Sequence, residues 1–68
     1  MKLIKIPNCN IYLAKSKIVI IQLSIDSNDI YSLSIGIRGG LWEKYDLNTK
    51  DEDEATRILN EFVVKFEN

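Results

Sequence analysis

Few groups in this 68-residue chain are suited to chemistry, and they are best taken first. There is no histidine and one cysteine. A Ser-His or Cys-His pair is therefore excluded within one chain, as are the Cys and His sets that usually hold zinc. Cys9 lies in "PNCN", a turn by composition, with no base beside it to lower the thiol pKa. It reads as an ordinary free thiol. The run "DEDE" at 51–54 could be taken for a metal site. On a helix, however, four successive carboxylates fan around the first turn instead of converging. The helix dipole and solvation account for them there. "DSND" at 26–29 offers oxygen ligands but lacks the length and pattern of a calcium loop, so it reads as a turn. "GIRGG" at 36–40 lacks the spacing of a phosphate-binding loop and leads into a strand. Tyr12, Tyr31, Tyr45 and Trp42 could stack on bases. No cofactor, no metal and no catalytic residue is expected from this inventory.

The elements that would position these groups follow from periodicity. "KLIKI" and "NIYLA" look like two short strands around "PNCN", with Pro7 at a strand end, where its missing N–H is tolerated. "AKSK" is a polar connection. "IVIIQLSI" is the strongest strand: Val19, Ile21, Leu23 and Ile25 alternate onto one face, and Ile18, Ile20, Gln22 and Ser24 onto the other. "IYSLSIGIR" alternates again, and "LWEKYDL" is a fifth strand. A helix over about 50–66 follows. Thr49 and Glu52 have capping-box spacing, and Ala55, Ile58, Leu59, Phe62 and Phe66 form one apolar stripe. Asp53 with Arg57, and Glu61 with Lys65, can pair one helical turn apart. The expected fold is α+β: one domain spanning 1–68, an antiparallel β-meander of four to five strands within 2–47, and one C-terminal amphipathic helix packed on one face.

Strand parity decides where Trp42 points. A two-residue turn at Gly39-Gly40 would place Lys44 and Asp46 on the core face, which is costly for unpaired charges. A three-residue turn, Arg38-Gly39-Gly40, instead pairs Ile37 with Leu41, Leu33 with Tyr45 and Tyr31 with Leu47. Only Glu43, opposite Ile35, spoils that face. The preceding hairpin aligns Ile25 with Tyr31, Leu23 with Leu33, Ile21 with Ile35 and Val19 with Ile37. The other face then carries Ile20, Gly36 and Trp42 in one row, flanked by Ile18 and Arg38. The next rows are Gln22, Ser34 and Lys44, then Ser24, Ser32 and Asp46. Glycine in a strand marks a close approach, here one the indole could fill. Two readings of Trp42 stay open: local packing over Gly36 or under the N-terminal strands, or a contact surface for a partner.

Bulk properties narrow the function classes. A chain this short has a thin stability margin, and with disulfides and zinc unavailable, oligomerisation is the remaining reinforcement. Nine Lys/Arg against ten Asp/Glu argue against general nucleic-acid binding, though not against a local basic patch. No apolar run approaches a membrane span, and "MKLIKIPNCN" lacks the long apolar segment of a secretory signal. A cytoplasmic protein with a reduced thiol and no membrane partner is expected.

The run from Ile11 to Phe66, "IYLAKSKIVIIQLSI…IYSLSI…GGLWEKYDLNTKDEDEATRILNEF", resembles small uncharacterised proteins of low-GC Gram-positive bacteria and their phages. In that pattern short strands around a glycine hairpin lead to "T-x-x-E-x-E-A" and an amphipathic helix. The resemblance implies this fold and no activity. The expected function is a non-enzymatic protein-protein interaction or regulatory module, of the kind a phage or mobile element uses on a host protein. It would act as a homodimer or by docking, with Trp42, Ile18, Ile20, Arg38 and Gly36 as partner-binding residues. One alternative is a single-stranded nucleic-acid-binding module using Lys15, Lys17, Arg38, Lys44 and Trp42. Another is a subunit of a larger enzyme, which two convergent carboxylates in a pocket would favour.

Overall fold

The computed structural model describes residues 2–68. In chain order its elements are β1 (Leu3–Lys5), β2 (Tyr12–Ala14), a 3-10 turn (Lys15–Lys17), β3 (Ile18–Ile25), β4 (Tyr31–Ile37), β5 (Leu41–Asp46) and α1 (Glu52–Glu67). The class is α+β, with antiparallel strands and a C-terminal helix. The five strands do not form one meander. β3, β4 and β5 make a three-stranded meander in chain order, while β1 and β2 pair only with each other. The break is the 3-10 turn, which separates β2 from β3 so that the first hairpin forms a sheet of its own. Leu3 pairs with Ala14, Ile4 with Leu13 and Lys5 with Tyr12. Alternation sends Ile4 inward, and Ile6 follows on the same side; both join a core of Ile18, Leu33, Ile35, Leu47, Ala55 and Phe62. The core face of the meander is thus covered by α1 and the β1–β2 hairpin together.

Two hydrogen bonds tie the hairpin down. Asn8 Nδ2 donates to the Leu47 carbonyl at 3.0 Å, and Lys15 Nζ donates to the Lys65 carbonyl at 3.3 Å. Lys15 Nζ also lies 5.7 Å from the centroid of the Phe66 ring, a cation–π distance. The Leu47 carbonyl is available because Asn48 takes a left-handed conformation (φ 56°), so that Tyr31 N–H bonds the Thr49 carbonyl instead.

The register around Trp42 is the expected one. Ile37 pairs with Leu41, Gly36 with Trp42, Ile35 with Glu43 and Leu33 with Tyr45. The three-residue turn closes with Gly40 N–H on the Ile37 carbonyl at 3.1 Å. Both Gly39 (φ 105°) and Gly40 (φ 90°) have positive φ, which L side chains adopt only with strain. On the other hairpin Ile25 pairs with Tyr31, Leu23 with Leu33 and Ile21 with Ile35. That turn is held by Asp26 Oδ1, which accepts from the N–H groups of Asn28 (2.7 Å) and Ile30 (3.1 Å).

The start of β3 departs from the expected pairing. A β-bulge between Ile18 and Ile20 makes Ile18, not Val19, the partner of Ile37. Ile18 turns into the core and is only 8% exposed, while Val19 is 62% exposed. The larger side chain is buried and the smaller left out, and bulges of this kind are common at sheet edges. Ile18 is therefore corrected from a surface contact to a core residue.

The helix begins two residues later than its expected bound, and its cap is Asp51 in place of Thr49. The Asp51 carboxylate accepts from Asp53 N–H at 3.0 Å. Thr49 plays a relay: its Oγ1 accepts from Asp51 N–H at 3.1 Å and donates to Glu54 Oε2 at 3.2 Å. Ala55 and Phe62 of the apolar stripe are fully enclosed, with Ile58, Leu59 and Phe66 packed around them. The two expected helix pairs are replaced by one, Arg57 with Glu61 at 2.9 Å.

Candidate functional site

The face of the meander turned away from α1 carries the expected rows. Gln22, Ser34 and Lys44 align, as do Ser24, Ser32 and Asp46. The small side chains of central β4 are buried between longer neighbours and are hydrogen-bonded. Ser24 Oγ and Ser34 Oγ are 2.9 Å apart, and Ser32 Oγ donates to Asp46 Oδ1 at 3.0 Å. No buried side-chain polar atom among the described residues lacks a partner. This end of the face is satisfied polar surface.

The other end is apolar and open. The indole of Trp42 lies across Gly36: a β-carbon there would meet Trp42 Cη2 at 3.4 Å and Ile20 Cβ at 3.2 Å. Gly36 therefore leaves room for the outer edge of the ring to come close to the sheet. About half of Trp42 stays open to solvent, at 53% exposure. Ile20 (45%) flanks it with Val19 beside Ile20, and Leu41 (67%), whose side chain is on the other face of β5, borders a hollow at the turn. This hollow, at the tip of the hairpin, is shallow, about 260 Å³, with Gly36, Arg38 and the turn glycines in its lining.

Of the expected contact residues, the structure brings together Trp42, Ile20, Gly36 and Arg38 and removes Ile18. Arg38 stands exposed at the hairpin tip; its backbone N–H bonds the Lys17 carbonyl at 2.8 Å and Nη2 donates to the Ser16 carbonyl at 3.3 Å. Val19 and Leu41 were not expected here. Val19 arrives through the bulge. Leu41 belongs by parity to the core side but lies beyond the cover of hairpin and helix, at the turn end. The sequence carries no polar residue in "IVII" to reveal the slip.

Of the residues of the nucleic-acid alternative, Trp42, Lys44 and Arg38 lie on the open face with Lys17 beside Arg38, and Lys15 does not join them. Lys15 is engaged with Lys65 and Phe66, away from the open face. Tyr31 and Tyr45 pack against the core. Their phenol pKa values are raised, each first by desolvation and then by a nearby carboxylate, Glu52 for Tyr31 and Glu43 for Tyr45. Trp42 is then the lone aromatic of the hollow.

Acidic groups diverge as well. Asp51 caps the helix, Glu52 accepts from the Tyr31 hydroxyl at 3.3 Å and Glu54 accepts from Thr49. Among the described residues no three Cys, Asp or Glu side chains gather where they could hold a metal ion. A second groove of about 310 Å³ between β1 and α1 is lined in part by Glu54 and Glu61. Seven residues apart on one helix, they are separated by about 10 Å along its axis. With Glu61 paired to Arg57, they do not converge as an acid–base couple would. Cys9 Sγ contacts the Ile6 carbonyl at 3.6 Å inside its turn. No helix among the described residues is long and apolar enough to cross a membrane.

No protein-family model matches the chain, and neither a curated protein nor a solved structure matches it.

Proposed function

We propose that the chain is a non-enzymatic interaction module that binds another protein surface through the open end of its meander. The observation that supports this most directly is the cluster of Trp42, Ile20, Val19 and Leu41, all large, apolar and about half exposed or more, around one hollow. Contiguous apolar surface of this kind on a small domain marks interaction sites. Tryptophan and arginine are favoured anchors there. The action is steric or allosteric binding in the cytoplasm, either as a homodimer or by docking on a host protein. Regulation of a host protein by a phage or mobile element fits the sequence resemblance.

Magnitudes constrain the contact. Burying the exposed part of four such side chains contributes on the order of 1 kcal/mol each. Association costs roughly 4–15 kcal/mol in lost freedom. The apolar cluster alone therefore supports a weak complex, and a stable one needs the polar and charged rim of the same face.

Sedimentation velocity over a concentration series, with wild type and Trp42→Ala, tests the reading together with affinity capture from host lysate. Circular dichroism confirms that the variant is folded. The expected result is self-association or partner capture that Trp42→Ala abolishes. A wild type that stays monomeric, with every captured protein retained by Trp42→Ala, would refute it.

A further inference from the structure

Resting on that reading of the open face, we propose that the hollow takes a foreign protein segment presenting an apolar side chain flanked by carboxylates. The charges around the apolar cluster carry the argument. Arg38 and Lys17 stand together at the hairpin tip, joined through their backbones, and Lys44 follows Trp42 in the next row on the same face. None of the three has a carboxylate within ion-pair distance; Arg57 with Glu61 is the one such pair among the described residues. The acids lie away from the hairpin tip. Asp51, Glu52, Asp53 and Glu54 crowd the start of α1, and Asp26 and Asp29 sit in the turn at the opposite end of the sheet. Glu43 projects to the other face of β5, and Asp46 lies two rows from the indole, held by Ser32. The turn end of the hollow, where Arg38 lines it and Lys17 adjoins Arg38, is cationic in a protein of net charge −1, while Lys44, a row from the indole, shares its surroundings with Asp46 and Asp26.

A second copy of this chain is a poor occupant. It would bring a further set of unpaired cations and no carboxylate at the hairpin tip to answer those of the first, so the two surfaces are not complementary in charge. A nucleic acid suits the cations but not the walls, which are aliphatic apart from one indole, whereas single-strand binders use several stacking platforms. An apolar anchor flanked by acids meets both features: the side chain fills the hollow and the carboxylates reach Arg38 and Lys17.

Trp42, the sole tryptophan, reports occupancy by fluorescence. A phage-displayed library of random short peptides, selected in parallel on wild type, Trp42→Ala and Arg38→Glu, provides the test. Arg38 is exposed, so its reversal leaves the core intact. On wild type the expected winners carry an aromatic or leucine residue beside Asp or Glu, and they shift Trp42 emission. On Arg38→Glu those peptides should bind at least about tenfold more weakly, with Lys- or Arg-flanked peptides enriched instead. Failure to enrich any peptide, or neutral or basic winners on wild type, overturns the proposal. So does tighter binding of oligothymidylate at Trp42, or Trp42-dependent dimerisation in place of peptide binding. Neutral apolar winners lost in Trp42→Ala, or the dimer, would leave the open-face reading standing. Winners indifferent to Trp42→Ala would remove both.

Discussion

Replacing Gly36 with alanine tests the geometry on which the open face depends. Two effects oppose each other. Alanine restricts the unfolded chain and by that route stabilises by about 0.4–1 kcal/mol. In the folded protein its Cβ would lie 3.2 Å from Ile20 Cβ and 3.4–3.5 Å from two indole carbons of Trp42. Facing Cβ atoms in an antiparallel pair are ordinarily about 4.5–5.5 Å apart. The indole can tilt away, because it is a side chain. Ile20 Cβ cannot, because it is fixed to the β3 backbone directly opposite Gly36, so the strands must part by some tenths of an ångström. Overpacking of this kind costs about 1–3 kcal/mol. The cost wins, and the net loss should be about 1 kcal/mol, a fall in Tm of roughly 4–8 °C for a domain of this size. Thermal melts by circular dichroism measure it, with Gly36→Ala made in both wild-type and Trp42→Ala backgrounds. Removing the indole relieves one contact and leaves the other, so part of the loss should persist in the second background. Ile20→Ala, which keeps the Cβ, should give no relief. A raised Tm in Gly36→Ala would show that the strands and ring are not this close.

The bulge in β3 makes neighbouring substitutions unequal: Ile18→Ala should cost about 2–4 kcal/mol and Val19→Ala less than about 0.5 kcal/mol in denaturant unfolding. The reverse order would restore the unbulged register. The Asp26 carboxylate is held below its usual pKa of 3.8 by the backbone N–H groups of Ile30 and Asn28, so the fold binds its proton less readily than the unfolded chain does. The stabilisation is fully present above that value and is lost as pH falls through the depressed pKa. Asp26→Asn, which keeps an acceptor oxygen, should flatten the wild-type decline in denaturant midpoint between about pH 4 and pH 2. An unchanged decline would show that the turn does not prefer the ionised carboxylate.

The parity of the central meander is legible because its polar residues speak for it. Lys44 and Asp46 alternate with Tyr45 and Leu47, and only a three-residue turn puts both charges outside. The helix is legible from its stripe, but its cap is not. Thr49 and Asp51 are both good cap residues, and the one that wins is the one whose carboxylate reaches Asp53 N–H. The bulge is hidden for the opposite reason: Ile18 to Ile21 are all β-branched and apolar, so a one-residue slip changes no visible pattern. The first hairpin is the largest departure. Three-residue strands carry too little alternation to show which sheet they join, and nothing local reveals that "KSK" forms a 3-10 turn instead of continuing the meander. Consequently Trp42, Ile20, Gly36 and Arg38 could be placed together from the sequence, while Val19, Leu41 and Ile18 could not.

The free edge of β5 bears on what the protein can bind. Leu47 N–H bonds Tyr31, so the residues of β5 with the same parity bond inward, and Trp42, Lys44 and Asp46 turn their backbone groups outward. An exposed edge of this kind is a template for another strand. Two copies pairing antiparallel about a two-fold axis through the sheet can align only residues of equal parity. Near-complete overlap then centres on Glu43 or on Lys44. The first sets Glu43 of both copies opposite one another, and the second does the same with Lys44. Like charges directly opposed destabilise a strand pair, so the adjacent opposite charges guard the edge against itself without proline or an overlying element. The same pattern leaves the edge open to a strand of different charge order. The β5 edge is thus patterned against strand pairing between two copies of the chain.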